Sequence, residues 1–401
     1  MLLKKTICVL SCLSLLYGHV SNAQKIRRLD NSTIYAEVLT QKIQHLVDTA
    51  RVSGVEIAVF NRRKPVYTKA FGYASVPGRI ALDTSAVFYA ASFSKAVFAY
   101  LVMQLVEKKI LYLDTPLVHY LTRPLYEYSL NNTGKSYADL KGDVRVKKIT
   151  ARMCLSHTTG LPNYREYEPD QKLRFRAEPG SRYIYSGEGI YLLQFVIEQI
   201  TGTDYESLVQ ERVFQPLHMT ESSYVWHKAY EKKCCAGHDR QKQVYDPIRK
   251  TLPHADASLY TTIGDYSKFY AALLQRKGLK KSSFAEMFSP QIKVRSKQQF
   301  GPNAWVDVNP GEQDDLSYGL GLGLLNTPYG TAFFKEGHDA GWQHYSIGFP
   351  EKGIAVIIMT NSDNGERIFQ EILETSIADT YTPWYWENYI PYNQKALSSS
   401  N

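Results

Sequence analysis

The sequence predicts an α+β protein with a central antiparallel sheet flanked by helices, and three observations carry that expectation. Four strand-like runs crowd together late in the chain, Tyr318–Leu325, Gly330–Lys335, Gln343–Phe349 and Gly353–Thr360. Strands so closely spaced pair antiparallel. Two more runs, Val55–Phe60 and Val66–Tyr73, flank the polar turn Asn61–Pro65 and predict one edge of an antiparallel sheet. Apolar stretches of helical character lie between them, the most apolar following Ser92.

Taken in order, the first residues read as an export signal. Lys4 and Lys5 form a positive start, Ile7–Tyr17 is largely apolar, and Ser21-Asn22-Ala23 offers small residues for cleavage before Gln24. The apolar run is far short of the roughly 20 residues of a membrane-spanning helix, and no transmembrane segment is expected in the mature chain. Cys12 leaves lipidation open as an alternative. The expected organisation is a signal over 1–23, one domain over 24–380 and an aromatic tail over 381–401 without readable chemistry, its end from Ala396 disordered.

A helical pattern over Ile34–Arg51 precedes the first hairpin. The Ser92 helix is expected to end near Lys109, and Asp114-Thr115-Pro116 predicts a helix start with Pro just inside it. Tyr126–Lys148 reads as a polar insertion loop. Ile149–Pro162 predicts a short capped helix ending in a Gly-Leu-Pro turn. His157 in that segment invites a catalytic reading, but a polar residue at a helix end more simply bonds backbone groups of the turn. Pro179-Gly180 turns the chain, and Tyr185-Ser186-Gly187 leads into a helix that stops at Thr201-Gly202. Thr261–Asp265 fits a cap for a helix over Tyr266–Leu274, and Arg367–Ala378 predicts a helix packed back on the sheet.

The composition, 44% hydrophobic and 21% charged, is that of a globular protein. The formal charge of +8 becomes 8 − 2 = +6 without Lys4 and Lys5, and is dispersed in pairs such as Arg62-Arg63, Lys147-Lys148 and Lys280-Lys281. Such dispersal predicts a solvated surface rather than a nucleic-acid site, with weak attraction to anionic envelope polymers left open. Of the five cysteines, Cys8 and Cys12 leave with the signal. Cys154, Cys234 and Cys235 have no spacing that suggests a disulfide framework or zinc site. Cys154 is expected to be a buried small side chain. Asn31-Ser32-Thr33 and Asn131-Asn132-Thr133 fit the glycosylation sequon.

Chemistry first suggests itself at Ser92-Phe93-Ser94-Lys95. Residues i and i+3 of a helix share a face, so Lys95 can place its amine beside the Ser92 hydroxyl. A lysine serves as a base only where desolvation lowers its pKa, and Ala90, Ala91, Val97, Phe98 and Leu101 supply apolar surroundings. The competing reading is a capping serine and a solvated lysine. Farther on, strand alternation puts Lys335 and Gly337 on one side, facing a cleft that Gly337 leaves open to a ligand, with Glu336 pointing away.

Ser92-x-x-Lys95, Leu155-Ser156-His157-Thr158-Thr159-Gly160-Leu161-Pro162, Pro179-Gly180 followed by Tyr185-Ser186, and Lys335-Glu336-Gly337 stand in the order and approximate spacing of the serine beta-lactamase superfamily. The chain resembles its class C beta-lactamase-like serine hydrolases, which include D-alanyl-D-alanine carboxypeptidases, D-aminopeptidases and esterases. The resemblance, over about Ile34–Ala378, implies an all-helical subdomain beside the sheet and catalysis by Ser92, Lys95, Tyr185 and Lys335, without a metal or cofactor. Ser92 would attack an acyl carbon, Lys95 and Tyr185 would share proton transfer, and Lys335 would hold a substrate carboxylate. Lys335 would also help keep Lys95 and Tyr185 at depressed pKa. The N–H groups of Ser92 and His338 would bind the oxyanion.

Gly187, Gly337 and His338 are the expected substrate-binding positions. Gly187 stands where relatives often carry an asparagine amide, and Glu188 beside it is an alternative acceptor for a free amine. His338-Asp339-Ala340 is a rival placement of the last motif, the Lys335 placement being preferred because Gly341-Trp342 and Pro350–Gly353 then fall where the family's following residues fall. The expected function is an exported serine hydrolase, periplasmic or secreted, acting by acyl transfer on an ester, amide or D-peptide. Its partner is a small-molecule or peptide substrate, with a peptidoglycan-derived one among the candidates. The alternatives are a true beta-lactamase or carboxypeptidase, and a catalytically idle peptidoglycan- or penicillin-binding protein.

Overall fold

β-Branched and aromatic residues decide the first departure from expectation. In the computed structural model, which describes residues 24–129 and 136–394, Ile34 and Tyr35, expected to open the first helix, are not helical. They form β2 (Thr33–Tyr35) in a hairpin with β1 (Lys25–Arg27), and α1 (Ala36–Thr49) starts only then. The export signal with Cys8 and Cys12, the second sequon and the residues from 395 onward lie outside the described residues.

β3 (Gly54–Asn61) and β4 (Lys64–Ser75) pair antiparallel across a turn tighter than the sequence suggests. Arg62 and Arg63 both take positive φ (50° and 63°), as in the two-residue loops whose twist matches that of the strands. β5 (Ile80–Ala81) extends that edge, and β6 (Phe88–Tyr89) leads into α2 (Phe93–Glu107). α2 is buried on nearly every side, as its continuous apolar run requires. Pro116, whose extended backbone (ψ 131°) bridges to Thr150, precedes a single 3₁₀ turn, Leu117–Tyr120, rather than opening an α-helix. The described part of the 126–148 stretch packs through short 3₁₀ turns that bury Leu140 and Val146.

α3 (Ala151–Leu155) is capped by Thr150 and buries Cys154. α4 (Gly187–Thr201) is capped by Ser186 and ends at Gly202 in the left-handed region (φ 64°). α5 (Tyr205–Val209) runs into a π turn over Gln210–Phe214. β7 (Tyr260–Thr261) pairs with β6, and α6 (Ile263–Gln275) starts at Thr262, whose hydroxyl accepts the Asp265 N–H. After α7 (Lys281–Met287) and β8 (Ile292–Lys293), the predicted run at 318–325 divides into β9 (Leu316–Tyr318) and β10 (Gly323–Thr327), because Gly321 turns the chain at φ 79°. β11 (Gly330–Asp339), β12 (Trp342–Phe349), β13 (Ile354–Thr360), α8 (Phe369–Ile377) and α9 (Trp384–Glu387) complete the order.

Nine strands make one sheet in the order β5-β4-β3-β13-β12-β11-β10-β9-β8, antiparallel throughout. Val55, Ile57, Val59 and Ile358 on one face pack with α1 and α8. Ala58, Phe60, Ile357 and Met359 on the other join a second core with α2, α6 and the helices α3–α5, the all-helical part of the molecule. β10 pairs only with residues 330–334 of β11. Residues 335–339 of β11 therefore have no strand on that side among the described residues, and this open edge faces the start of α2.

Candidate active site

The turn that presents Ser92 is held from three directions. Ala91 takes a left-handed conformation (φ 45°) that an L-residue adopts only under constraint. Ser94 Oγ donates to the Ala91 carbonyl at 2.5 Å and accepts the Leu259 N–H at 3.0 Å, and β6 pairs with β7. Ser92 sits at the N-cap of α2, yet its side chain makes no capping hydrogen bond. Its hydroxyl instead accepts from Lys95 Nζ at 2.9 Å.

Lys95 is fully buried. Its ammonium donates also to the Asp256 carbonyl at 2.6 Å and lies over the Tyr185 ring, 4.9 Å from its centre. Burial pulls its pKa down to about 7, Lys335 adding to the effect while the charges of Asp256 and Glu336 oppose it. The solvated-lysine reading is thereby excluded.

Tyr185 differs from expectation. Burial, then the charge of Glu336, push its phenol well above its ordinary pKa, outweighing the hydrogen bond with Ser92. Lys335 cannot reverse this, because its charge is already engaged. Its fully buried ammonium donates to Glu336 Oε1 at 2.6 Å and contacts Tyr185 Oη at 3.3 Å. Glu336 was expected to point away. It lies just past the last residue of β11 that pairs with β10, and its carboxylate instead meets the buried Lys335 ammonium, a dehydrated cation that needs a counter-charge. Gln299 Nε2 donates to the same oxygen at 2.9 Å.

Two glycines also serve differently than predicted. A Cβ on Gly337 would lie 2.8 Å from the Ala90 carbonyl oxygen, so this glycine lets β11 approach the Ser92 turn rather than leaving room for a ligand. At Gly187 a Cβ would fall 2.7 Å from the Tyr164 ring and 2.9 Å from the Asn163 carbonyl, and its N–H donates to Asn163 Oδ1 at 3.1 Å. Gly187 stays off the cavity wall; Asn163 and Tyr164 occupy the wall instead. Glu188 is no acceptor for a ligand amine. It is buried and forks onto Arg165, accepting Nε at 2.9 Å and Nη2 at 2.8 Å.

A cavity of about 390 Å³ opens between the start of α2 and the free edge of β11. Ser92, Tyr185, Glu336 and His338 border it. The His338 imidazole stands on the rim, 53% exposed, with Nδ1 3.4 Å from Glu366. His157 is buried and its Nδ1 accepts the Ser186 N–H at 3.1 Å, which agrees with the backbone-bonding expectation. Its ring also stacks on Tyr185 at 4.3 Å and so fixes that phenol.

Sequence reasoning missed Asp256, Asn163, Tyr164 and the C-terminal segment. Asp256 accepts from Tyr164 Oη at 2.5 Å besides holding Lys95, and no spacing marks a residue that acts through its own carbonyl. From the aromatic tail, Trp386 is buried against Tyr183 and Phe334, and Glu387, Asn388 and Tyr389 wall the cavity. Alternation of Trp, Tyr and Pro hid them.

The sheet with its helical flank, and a Ser-Lys-Tyr cluster at their junction, define a serine-hydrolase type of architecture. The family model for Beta-lactamase matches residues 39–378, and the chain belongs to that family. It is 25% identical over 353 residues to a penicillin-binding protein of Bacillus subtilis strain 168, covering 78% of this chain and 68% of that one. Two solved structures share the fold. The octameric penicillin-binding protein homologue from Pyrococcus abyssi superposes with a TM-score of 0.68 at 22% identity, over 88% of this chain and 80% of that one. A penicillin-binding protein from Bacillus halodurans gives 0.60 at 21%, over 79% and 94%.

Proposed function

We propose that the protein is an exported serine hydrolase that transfers an acyl group through a covalent Ser92 intermediate, with an ester, amide or D-peptide as donor. One observation carries the reading: a fully buried lysine amine, its pKa near 7, lies 2.9 Å from a serine hydroxyl that caps nothing. A neutral Lys95 takes the Ser92 proton as Oγ bonds to the acyl carbon. The oxyanion forms between the Ser92 and His338 N–H groups. As the bond to the leaving group breaks, the proton passes to that group from Lys95 or through the neutral Tyr185 phenol. Water then attacks the acyl-enzyme, gives its proton to Lys95, and frees the acid and Ser92. Export rests on the charged and apolar pattern of residues 4–23.

Carboxylate-bearing donors, which a beta-lactamase or carboxypeptidase would take, meet Glu336 where Lys335 was expected to receive them. Esters and short amides without that group are the better candidates. A fluorophosphonate probe tests the reading directly: wild type labels at Ser92, located by peptide mass, and Ser92→Ala does not. Absence of labelling in wild type would favour an idle binder.

A further inference from the structure

A second cavity, about 920 Å³ against 390 Å³ for the one at Ser92, lies in the helical part of the molecule and shares no lining residue with it. Two segments border this groove, 118–126 and 140–147. Its floor is apolar. Leu125, Leu140 and Val146 belong to the core below, and Val118 and Leu121 are half-buried against that same core. Val144 stands beside them 68% exposed. The rim is basic, with exposed Arg123 from the first segment and exposed Lys141 and Lys147 from the second. The neighbouring Arg145 and Lys148 are paired with Asp143 and Glu178, whereas the three rim cations have no acidic partner among the described residues. Arg123 rests on the Tyr128 ring at 4.2 Å and Lys141 over Tyr126 at 5.7 Å, contacts that hold both at the rim without neutralising them. Asp143, the acid that lines the groove, is already forked onto Arg145 at 3.0 and 2.7 Å.

We propose that this groove docks the protein on an anionic phospholipid surface, one acyl chain lying on the apolar floor beside Val144 and the head-group phosphates meeting Arg123, Lys141 and Lys147. Apolar contact and attraction to anionic head groups reinforce each other in interfacial binding. An anionic lipid offers both on one molecule. A soluble polyanion would answer the rim and leave the apolar floor and Val144 in water; a neutral apolar ligand would answer the floor and leave three cations unpaired around it. Cations supplied by both bordering segments suit a plane of head groups, and the volume is that of a site for a ligand of lipid-chain size. Lys147 and Lys148 thus divide their work, one facing the groove and the other tied to Glu178. Docking there leaves the Ser92 cavity uncovered, because the two share no lining residue.

The test is co-sedimentation with vesicles of phosphatidylcholine alone and of equal parts phosphatidylcholine and phosphatidylglycerol. It uses the chain from Gln24 onward, which carries both hydrophobic cores and lacks the apolar run of 7–17 that would itself enter a bilayer. Wild type is expected to bind the mixed vesicles roughly tenfold or more tighter than the neutral ones, well within what three cations near an anionic surface supply. Arg123→Gln, Lys141→Gln and Lys147→Gln combined should remove most of that preference. Lys42→Gln, Lys64→Gln and Lys69→Gln combined take the same charge from exposed positions on α1 and β4 and should leave most of it in place. All six side chains are exposed, and unchanged melting temperatures confirm that both triple variants fold. No preference in wild type, or equal loss in the two triple variants, overturns the proposal. Seating of the groove is read from an environment-sensitive dye on Val144→Cys, with the unsubstituted chain treated alike as reference. A blue shift on the mixed vesicles upholds it; binding without a shift means adsorption by charge alone, as to an anionic polymer, and overturns it. None of these readings depends on turnover or on labelling at Ser92.

Discussion

On the proposed mechanism, a single proton at Lys95 decides whether the site reacts. Only the neutral amine can accept the Ser92 proton, so the fluorophosphonate labelling rate should rise with pH, level off above an inflection near 7, and fall about tenfold per unit below it. Rate measurements from pH 5 to 9 check this, and an inflection near the ordinary lysine value would remove Lys95 as the base. Ser92→Ala should abolish labelling while changing stability by no more than ~1–2 kcal/mol, because the hydroxyl caps no backbone group. Glu56 on β3 gives the opposite pH sign. Burial and the nearby Asp83 outweigh the Ile263 N–H and raise its carboxyl well above the ordinary range. The stability it contributes is full below the unfolded-state value of ~4.3 and is lost as pH rises. Glu56→Gln should therefore stabilise by ~1–3 kcal/mol at pH 8 and by less at pH 5, read from urea midpoints.

Among the elements, β11 does most to join scaffold to chemistry. Gly337→Ala would press a methyl group against the Ala90 carbonyl and move the strand from the Ser92 turn. The expected result is a fall in kcat of about 10²-fold with a smaller loss of melting temperature, since displacements near 1 Å have that effect on reacting groups. Lys335→Met should damage both activity and stability by leaving Glu336 buried without its partner, at ~3–5 kcal/mol. Adding Glu336→Gln should restore much of the stability but not the activity, a coupling that a double-mutant cycle measures. The strands around this site were legible because 318–360 alternates within short turn-bounded runs. Side-chain direction at Glu336 was not, since alternation says where a Cβ points and not where a charge at an open edge finds its counter-ion. Ser92 and Lys95 were readable from local spacing alone. Asp256, in contrast, reaches Lys95 across 161 residues through a carbonyl that every residue possesses.

Across the whole molecule, the last described segment acts as a wall of the cavity. Trp386→Ala should cost ~3–5 kcal/mol by emptying a fully buried site against Tyr183 and Phe334, measured by chemical denaturation. Nothing in a Trp- and Tyr-rich tail announces this role, because the surface it covers is assembled from distant strands. The two hydrophobic cores also bear on the site in different ways. Phe93, Ala96 and Val97, which seat the Ser92 turn, belong to the core under α2, whereas Tyr183 and Tyr185 belong to the one on the opposite face of the sheet. Nucleophile and phenol thus report on the mutual seating of two bodies. Gentle warming that lets one core shift against the other by a fraction of an ångström would silence the proposed activity before either core melts. Its temperature optimum should consequently fall several degrees below the calorimetric transition, and inactivation in that interval should reverse on cooling.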